Sequence, residues 1–163
     1  MTLKKIIKFL VAVSVSIFLV SCSLTETNNQ GGSEALTVTN VHDHVVRGRT
    51  TEEELVKLFG EPRKKIHDSS KVEELYDNYK DQEGGMFDLL DDNTNYYKTE
   101  KYVKVDYSDD SFYDSCYIYH SNDLGLEFVR FYIKDDLVRY YHFGDITDKS
   151  IAKKDKYLRQ IIE

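Results

Sequence analysis

His42, Asp43 and His44 form the densest set of ligand-type side chains in the sequence. On an extended strand, positions 42 and 44 project to one side, and imidazole suits zinc or copper, so this pair reads as part of a metal site. A third ligand would have to come from His67, His120 or His142, which the sequence does not place. Two ligands are not a site, so His42 and His44 are expected to be exposed and uncoordinated. Cys116 and His120 are four apart on an expected strand and share a face. At roughly 3.3 Å per residue they lie more than about 10 Å apart, whereas a nucleophile and its base need about 3 Å. Cys116 is therefore expected to be a buried structural cysteine. Asp91, Asn93 and Asn95 have the oxygen ligands and alternation of a calcium loop. The sixth position, however, is Tyr96 instead of glycine, and the twelfth is Tyr102 instead of a bidentate glutamate, so an Asx-rich loop is the expectation.

The fingerprints of common enzymes are missing from the sequence. It contains no Gly-x-Ser-x-Gly, His-Glu-x-x-His, P-loop or dinucleotide motif. A non-enzymatic protein without a cofactor is expected; the alternative is an envelope enzyme or metal-binding protein that uses His42 and His44. The chain carries 22 basic and 29 acidic residues, a net charge of −7. Such a balance repels phosphate backbones, and Arg63-Lys64-Lys65 is too short a basic run for counterion release to drive nucleic-acid binding.

The elements begin with an N-terminal segment that looks like a targeting signal. Lys4, Lys5 and Lys8 precede an apolar run from Phe9 to Val20 that is interrupted only by Ser14 and Ser16. A charged stretch followed by about a dozen apolar residues is too short to span a bilayer and matches a secretory signal. Leu19-Val20-Ser21-Cys22 stands at the end of that run and resembles the lipobox of bacterial lipoproteins. The resemblance implies diacylglycerol on the Cys22 thiol and cleavage just before Cys22, which leaves a lipid-anchored protein facing outside the cytoplasm. At roughly 0.8 kcal/mol per buried methylene, two or more acyl chains anchor stably where one does not. Residues 1–21 are then the signal, residues 22–34 a lipidated cysteine and flexible polar tether, and residues 35–163 a single domain. Removing residues 1–21 takes away three lysines and no acid, leaving a net charge of −10. Cys116 then has no free cysteine to pair with, so stability has to come from a core.

Within that domain, Thr50 with Glu53 or Thr51 with Glu54 offers a capping box, Leu55, Leu58 and Phe59 form an apolar stripe, and Gly60 and Pro62 end the helix. Val72, Leu75, Tyr76 and Tyr79 suggest a second helix over 71–79, before Glu83-Gly84-Gly85. Tyrosine-rich and β-branched runs predict strands at about 101–107, 112–120, 126–134 and 137–143, with a tight hairpin at Lys134-Asp135-Asp136. A closing helix over 148–162 carries Ile151, Leu158 and Ile162 on one stripe. The fold class is α+β: two N-terminal helices packed on a four-stranded antiparallel sheet, with a C-terminal helix.

Alternation along those strands sorts the sheet into two faces. One gathers Val103, Val105, Cys116, Ile118, Val129, Phe131 and Ile133 for the helices to cover. The other gathers Tyr102, Tyr113, Tyr117, Tyr119, Arg130, Tyr132, Tyr140 and His142. Tyrosine with arginine is a composition suited to protein recognition, which makes Tyr117, Tyr119, Arg130 and Tyr132 the candidate protein-binding residues.

The segment Gly48-Arg49-Thr50-Thr51-Glu52-Glu53-Glu54-Leu55-Val56-Lys57-Leu58-Phe59-Gly60-Glu61-Pro62 resembles the Gly-x-Thr opening and Leu-Gly-x-Pro close of small lipoproteins of the SmpA/OmlA type and of β-lactamase-inhibitor-protein-like domains. The match covers about 15 residues in detail and the rest by element order. It implies a two-helix, four-strand layout and action by binding an envelope protein, as inhibitor or assembly factor.

Overall fold

The computed structural model describes residues 31–80, 94–104 and 112–162. The signal, Cys22, tether residues 22–30, the Glu83-Gly84-Gly85 interruption, residues 88–93 of the Asx-rich run and residues 105–107 of the first predicted strand lie outside these. The elements are α1 (Val38–His44), α2 (Glu52–Phe59), β1 (Lys64–Ile66), α3 (Ser69–Lys80), α4 (Asn95–Thr99), β2 (Ser115–Tyr119), β3 (Val129–Lys134), β4 (Leu137–Phe143) and α5 (Lys149–Ala152), followed by a 3-10 turn (Leu158–Gln160). The protein is thus α+β, with a four-stranded antiparallel sheet in the order β1-β2-β3-β4. Among the described residues no helix is long and apolar enough to cross a membrane.

Local chemistry explains the first half. The Thr37 side chain accepts from the Asn40 amide and starts α1. The capping box of α2 uses Thr51 and Glu54, each side chain bonded to the other's backbone amide, and satisfies donors that the first turn leaves open. Thr50 is buried and bonds in the opposite direction along the chain, its Oγ1 accepting from the Val46 amide at 2.9 Å. With Gly48 at φ 78° it shapes a turn whose backbone pairs with β4, through Gly48 N–H to Val138 O at 2.7 Å and Val138 N–H to Thr50 O at 2.9 Å. The connection between α1 and α2 therefore covers part of the outer edge of β4, which would otherwise present unpaired backbone groups. Gly60 ends α2 at φ 78°, a conformation that disfavours any residue with a Cβ.

The tether reaches less far along the chain than its composition suggests. Ser33 and Glu34 donate backbone bonds to the Lys57 and Leu58 carbonyls, so residues 31–34 are packed on the end of α2. The predicted strand at 101–107 is absent from the sheet over residues 101–104, where Tyr102 makes only an isolated parallel bridge to Arg47. Its place as first strand is taken by Lys64–Ile66, which is three residues long and too short to show a period. The predicted C-terminal helix is broken into α5 and the 3-10 turn. The β3–β4 hairpin turns on Asp135 and Asp136, both at positive φ (51° and 61°), the double left-handed geometry that two-residue hairpins favour.

Both sheet faces are covered, and their membership corrects the alternation. Direct pairing puts Tyr117 opposite Phe131 and Tyr119 opposite Val129. Those residues, with Ile133, Val138, Tyr141 and Phe143, form the main core against Val41, Leu55, Phe59, Tyr157 and Leu158. Cys116 pairs with Tyr132 and Ile118 with Arg130, so these lie on the second face, where Ile66 and the α3 residues Val72, Leu75 and Tyr76 pack. Alternation within β2 and within β3 holds, but their relative phase is reversed, because one residue of slip exchanges a strand's faces. A register shift between Tyr132 and Ile133 makes Arg139 an extra residue in β4, so Val138 and Tyr141 share the main core despite their odd separation.

Candidate functional site

Among the described residues the expected open tyrosine face is closed at its centre. Tyr117, Tyr119 and Tyr132 are 3%, 0% and 0% exposed, the first two inside the main core and the third beneath α3. Of the four proposed recognition residues only Arg130 is partly accessible. Cys116 is fully buried, as anticipated, and burial pushes its thiol up to about 12 against the opposing pull of Arg130 and Lys64.

The His42-Asp43-His44 triplet is helical, and this overturns its shared side. At 3.6 residues per turn, positions two apart point in nearly opposite directions. His44 is exposed and lies 4.0 Å from Glu34, whereas His42 is buried. The expectation that both histidines are exposed therefore fails at His42. Among the described residues no group of three or more histidine, cysteine, aspartate or glutamate side chains could hold a metal ion.

His42 instead anchors a polar cluster inside the domain. Its Nε2 lies 3.0 Å from the Tyr96 carbonyl oxygen and 3.2 Å from Thr99 Oγ1. A carbonyl only accepts, so Nε2 carries a proton. Nδ1 lies 2.8 Å from Asp43 Oδ1 and 2.9 Å from the Tyr157 hydroxyl. A neutral imidazole accepts the Tyr157 proton at Nδ1, while an imidazolium donates there to Asp43. Lys156 Nζ donates to the Tyr157 hydroxyl at 3.0 Å, which raises the lysine pKa. Burial alone would raise the Asp43 carboxyl, but the His42 hydrogen bond and the charges of Lys156, His42 and Lys101 outweigh it and hold the group below its usual 3.8.

Within this array His42 is 2% exposed and Tyr157 1%, whereas the Asp43 side chain at its edge is 42% exposed. The evident work of the array is to clamp α1 to the C-terminal segment. Asp155 completes the clamp, with Oδ2 accepting from the Thr39 amide and hydroxyl (2.9 and 2.8 Å) and Oδ1 from the Tyr157 and Leu158 amides (2.8 and 3.1 Å). A second chain runs outward from Tyr96, whose hydroxyl donates to Tyr141; Tyr141 donates to Glu100, and Glu100 pairs with Arg47 at 2.9 Å. Burial pushes both phenols far above their usual value. Tyr157, Lys156 and Asp155 escape sequence reasoning because they meet α1 across more than a hundred residues and belong to no motif.

A second candidate lies between the β2–β3 connection and the start of α5. A groove of about 790 Å³ is lined by Arg63, His120, Asn122, Gly125, Glu127 and Asp148 among others. Phe128 stands between it and the second sheet face: its ring meets His120 at 6.4 Å and His142 at 5.7 Å, and the Arg130 guanidinium carbon sits 4.0 Å from its centre. His142 is buried there, and burial together with Arg130 depresses it from 6.5 to about 3, so it is neutral at neutral pH. No protein-family model matches the chain, nor does any curated protein or solved structure.

Proposed function

We propose that this chain is a bacterial lipoprotein precursor whose mature form is held on the outer side of the cell membrane by lipid on Cys22 and presents a non-enzymatic domain to another envelope protein. The observation that carries this reading is Leu19-Val20-Ser21-Cys22 placed at the end of the charged and apolar signal pattern that begins at Lys4. The packed segment at residues 31–34 adds a length argument. Nine residues, Cys22 to Gln30, separate the acylation site from the fold, and at no more than about 3.6 Å each they keep the domain within roughly 30 Å of the bilayer. An inhibitor or assembly-factor role follows the SmpA/OmlA and β-lactamase-inhibitor-protein resemblance. The engagement of His42 and Tyr157, both buried, in holding α1 to the C-terminal segment favours it over an enzymatic one. The test is incorporation of labelled fatty acid in cells expressing the full chain. Cys22→Ser should abolish the label and change the processed mass, and undiminished labelling in that variant would reject the assignment.

A further inference from the structure

Arg130 is a half-buried cation without an acidic partner among the described residues, and its surroundings show what it is built to meet. Backbone pairing sets Lys64, Ile118, Arg130 and His142 side by side across all four strands. Cross-strand neighbours of this kind stand about 5 Å apart, so the long Lys64 side chain can bring its ammonium over Ile118 toward Arg130. Phe128 lies 4.0 Å from the Arg130 guanidinium carbon and fixes the fork by a cation–π contact. Nε of Arg130 is buried and has no hydrogen-bond partner. Among the described residues no carboxylate comes within ion-pairing distance of this guanidinium, whereas Arg47 pairs with Glu100 and Arg139 with Asp135.

A donor taken out of water and left unsatisfied is costly, and in native proteins it commonly marks an ion or water that completes the site. Arg47 Nε is orphaned in the same way, but its guanidinium has Glu100; what sets Arg130 apart is that it has no anionic acceptor among the described residues. The field is already felt nearby: Arg130 and Lys64 both pull on the Cys116 thiol, and Arg130 adds to the depression of His142. A guanidinium fork matches two oxygens of one anion, and a second cation nearby favours a doubly charged group over a singly charged one.

We propose that Arg130 and Lys64, with Phe128 as a floor, form a binding site for a phosphate group on the second sheet face. The site does not depend on the lipid anchor. Because the chain is acidic overall, capture is short-ranged and falls with ionic strength.

The test is a titration of the full, isotope-labelled chain with inorganic phosphate at fixed ionic strength, following the Arg130 Nε–H resonance and binding heat. A saturable shift is expected, weakened at least about tenfold by Arg130→Gln and several-fold by Lys64→Gln, in line with the loss of charge-assisted hydrogen bonds. Acetate should bind several-fold more weakly than phosphate. Lys64 is exposed, so Lys64→Gln keeps its fold and decides the matter even if Arg130→Gln unfolds. Vesicles of phosphatidic acid, compared with phosphatidylcholine, separate the sources: competition with free phosphate assigns the group to a lipid headgroup, and its absence to a soluble ligand. A shift that does not saturate, acetate binding as tight as phosphate, or wild-type affinity in Lys64→Gln overturns the proposal.

Discussion

His42 Nδ1 and the Tyr157 hydroxyl meet at 2.9 Å across 115 residues of chain, one of the contacts that close the N-terminal helix onto the C-terminal segment. Tyr157→Phe keeps the ring and removes the hydroxyl, leaving a buried imidazole nitrogen with one partner fewer. The cost should be about 1–3 kcal/mol in denaturant melts, the range for a lost buried hydrogen bond plus an under-satisfied group. Hydrogen exchange at the Thr39 amide, which donates to Asp155 beside it, should quicken in the same variant. Unchanged stability and exchange would show that the clamp rests on Asp155 alone.

Burial and Arg130 hold His142 at about 3, against 6.5 in an ordinary setting, and Tyr132 from the same strand as Arg130 stacks on it at 5.6 Å. The unfolded chain therefore binds a proton that the folded one excludes. The stability that this neutral imidazole preserves is fully present above pH 6.5 and is lost as pH falls through the window from 6.5 to about 3. Its slope approaches about 1.4 kcal/mol per pH unit for one proton, and it levels off below the folded value. His142→Gln should flatten that acid limb. Parallel pH profiles for the two proteins would place the acid sensitivity elsewhere.

Residues with local, short-range causes were legible in advance: the capping box at Thr51 and Glu54, the stop at Gly60, and the tight turn at Asp135-Asp136 each depend on neighbours within a few positions. Alternation within strands was equally legible. The phase between β2 and β3 was not, because the nine residues from His120 to Phe128 impose no register, and a one-residue ambiguity moved Tyr117 and Tyr119 from the core to an imagined surface. β1 is too short to show a period, and the composition that suggests a strand from residue 101 onward puts none of residues 101–104 in the sheet. The His42 cluster was half visible: the sequence showed the histidine, but not the helix that turns it inward or the distant residues that meet it.

Gly32 lies so close to the end of α2 that an added Cβ would stand 2.4 Å from the Leu58 carbonyl oxygen and 2.5 Å from the Gly60 nitrogen, both backbone atoms unable to swing aside. Gly32→Ala should therefore lift residues 31–34 off the helix. The Ser33 and Glu34 amides, bonded to Lys57 and Leu58 at 3.1 and 2.9 Å, should lose their hydrogen-exchange protection. Global stability should fall by less than about 1 kcal/mol, because the segment is terminal and opens by itself. Retained protection would mean that the backbone accommodates the methyl group.

Tyr119 offers the sharpest measure of which sheet face is closed. Its ring lies 5.6 Å from Phe131 and 6.5 Å from Phe59, and its hydroxyl donates to the Gly60 carbonyl at 3.1 Å, so it joins β2 to the end of α2 through both packing and a hydrogen bond. Tyr119→Ala should cost about 3–5 kcal/mol through lost transfer energy and the cavity left behind, and Tyr119→Phe about 1 kcal/mol for the hydrogen bond alone. Tyr102, 65% exposed, provides the contrast: Tyr102→Ala should stay within about 0.5 kcal/mol of the parent. A Tyr119→Ala protein as stable as Tyr102→Ala would mean that the face bearing Tyr117, Tyr119 and Phe131 is open, and that the register pairing Tyr119 with Val129 is wrong.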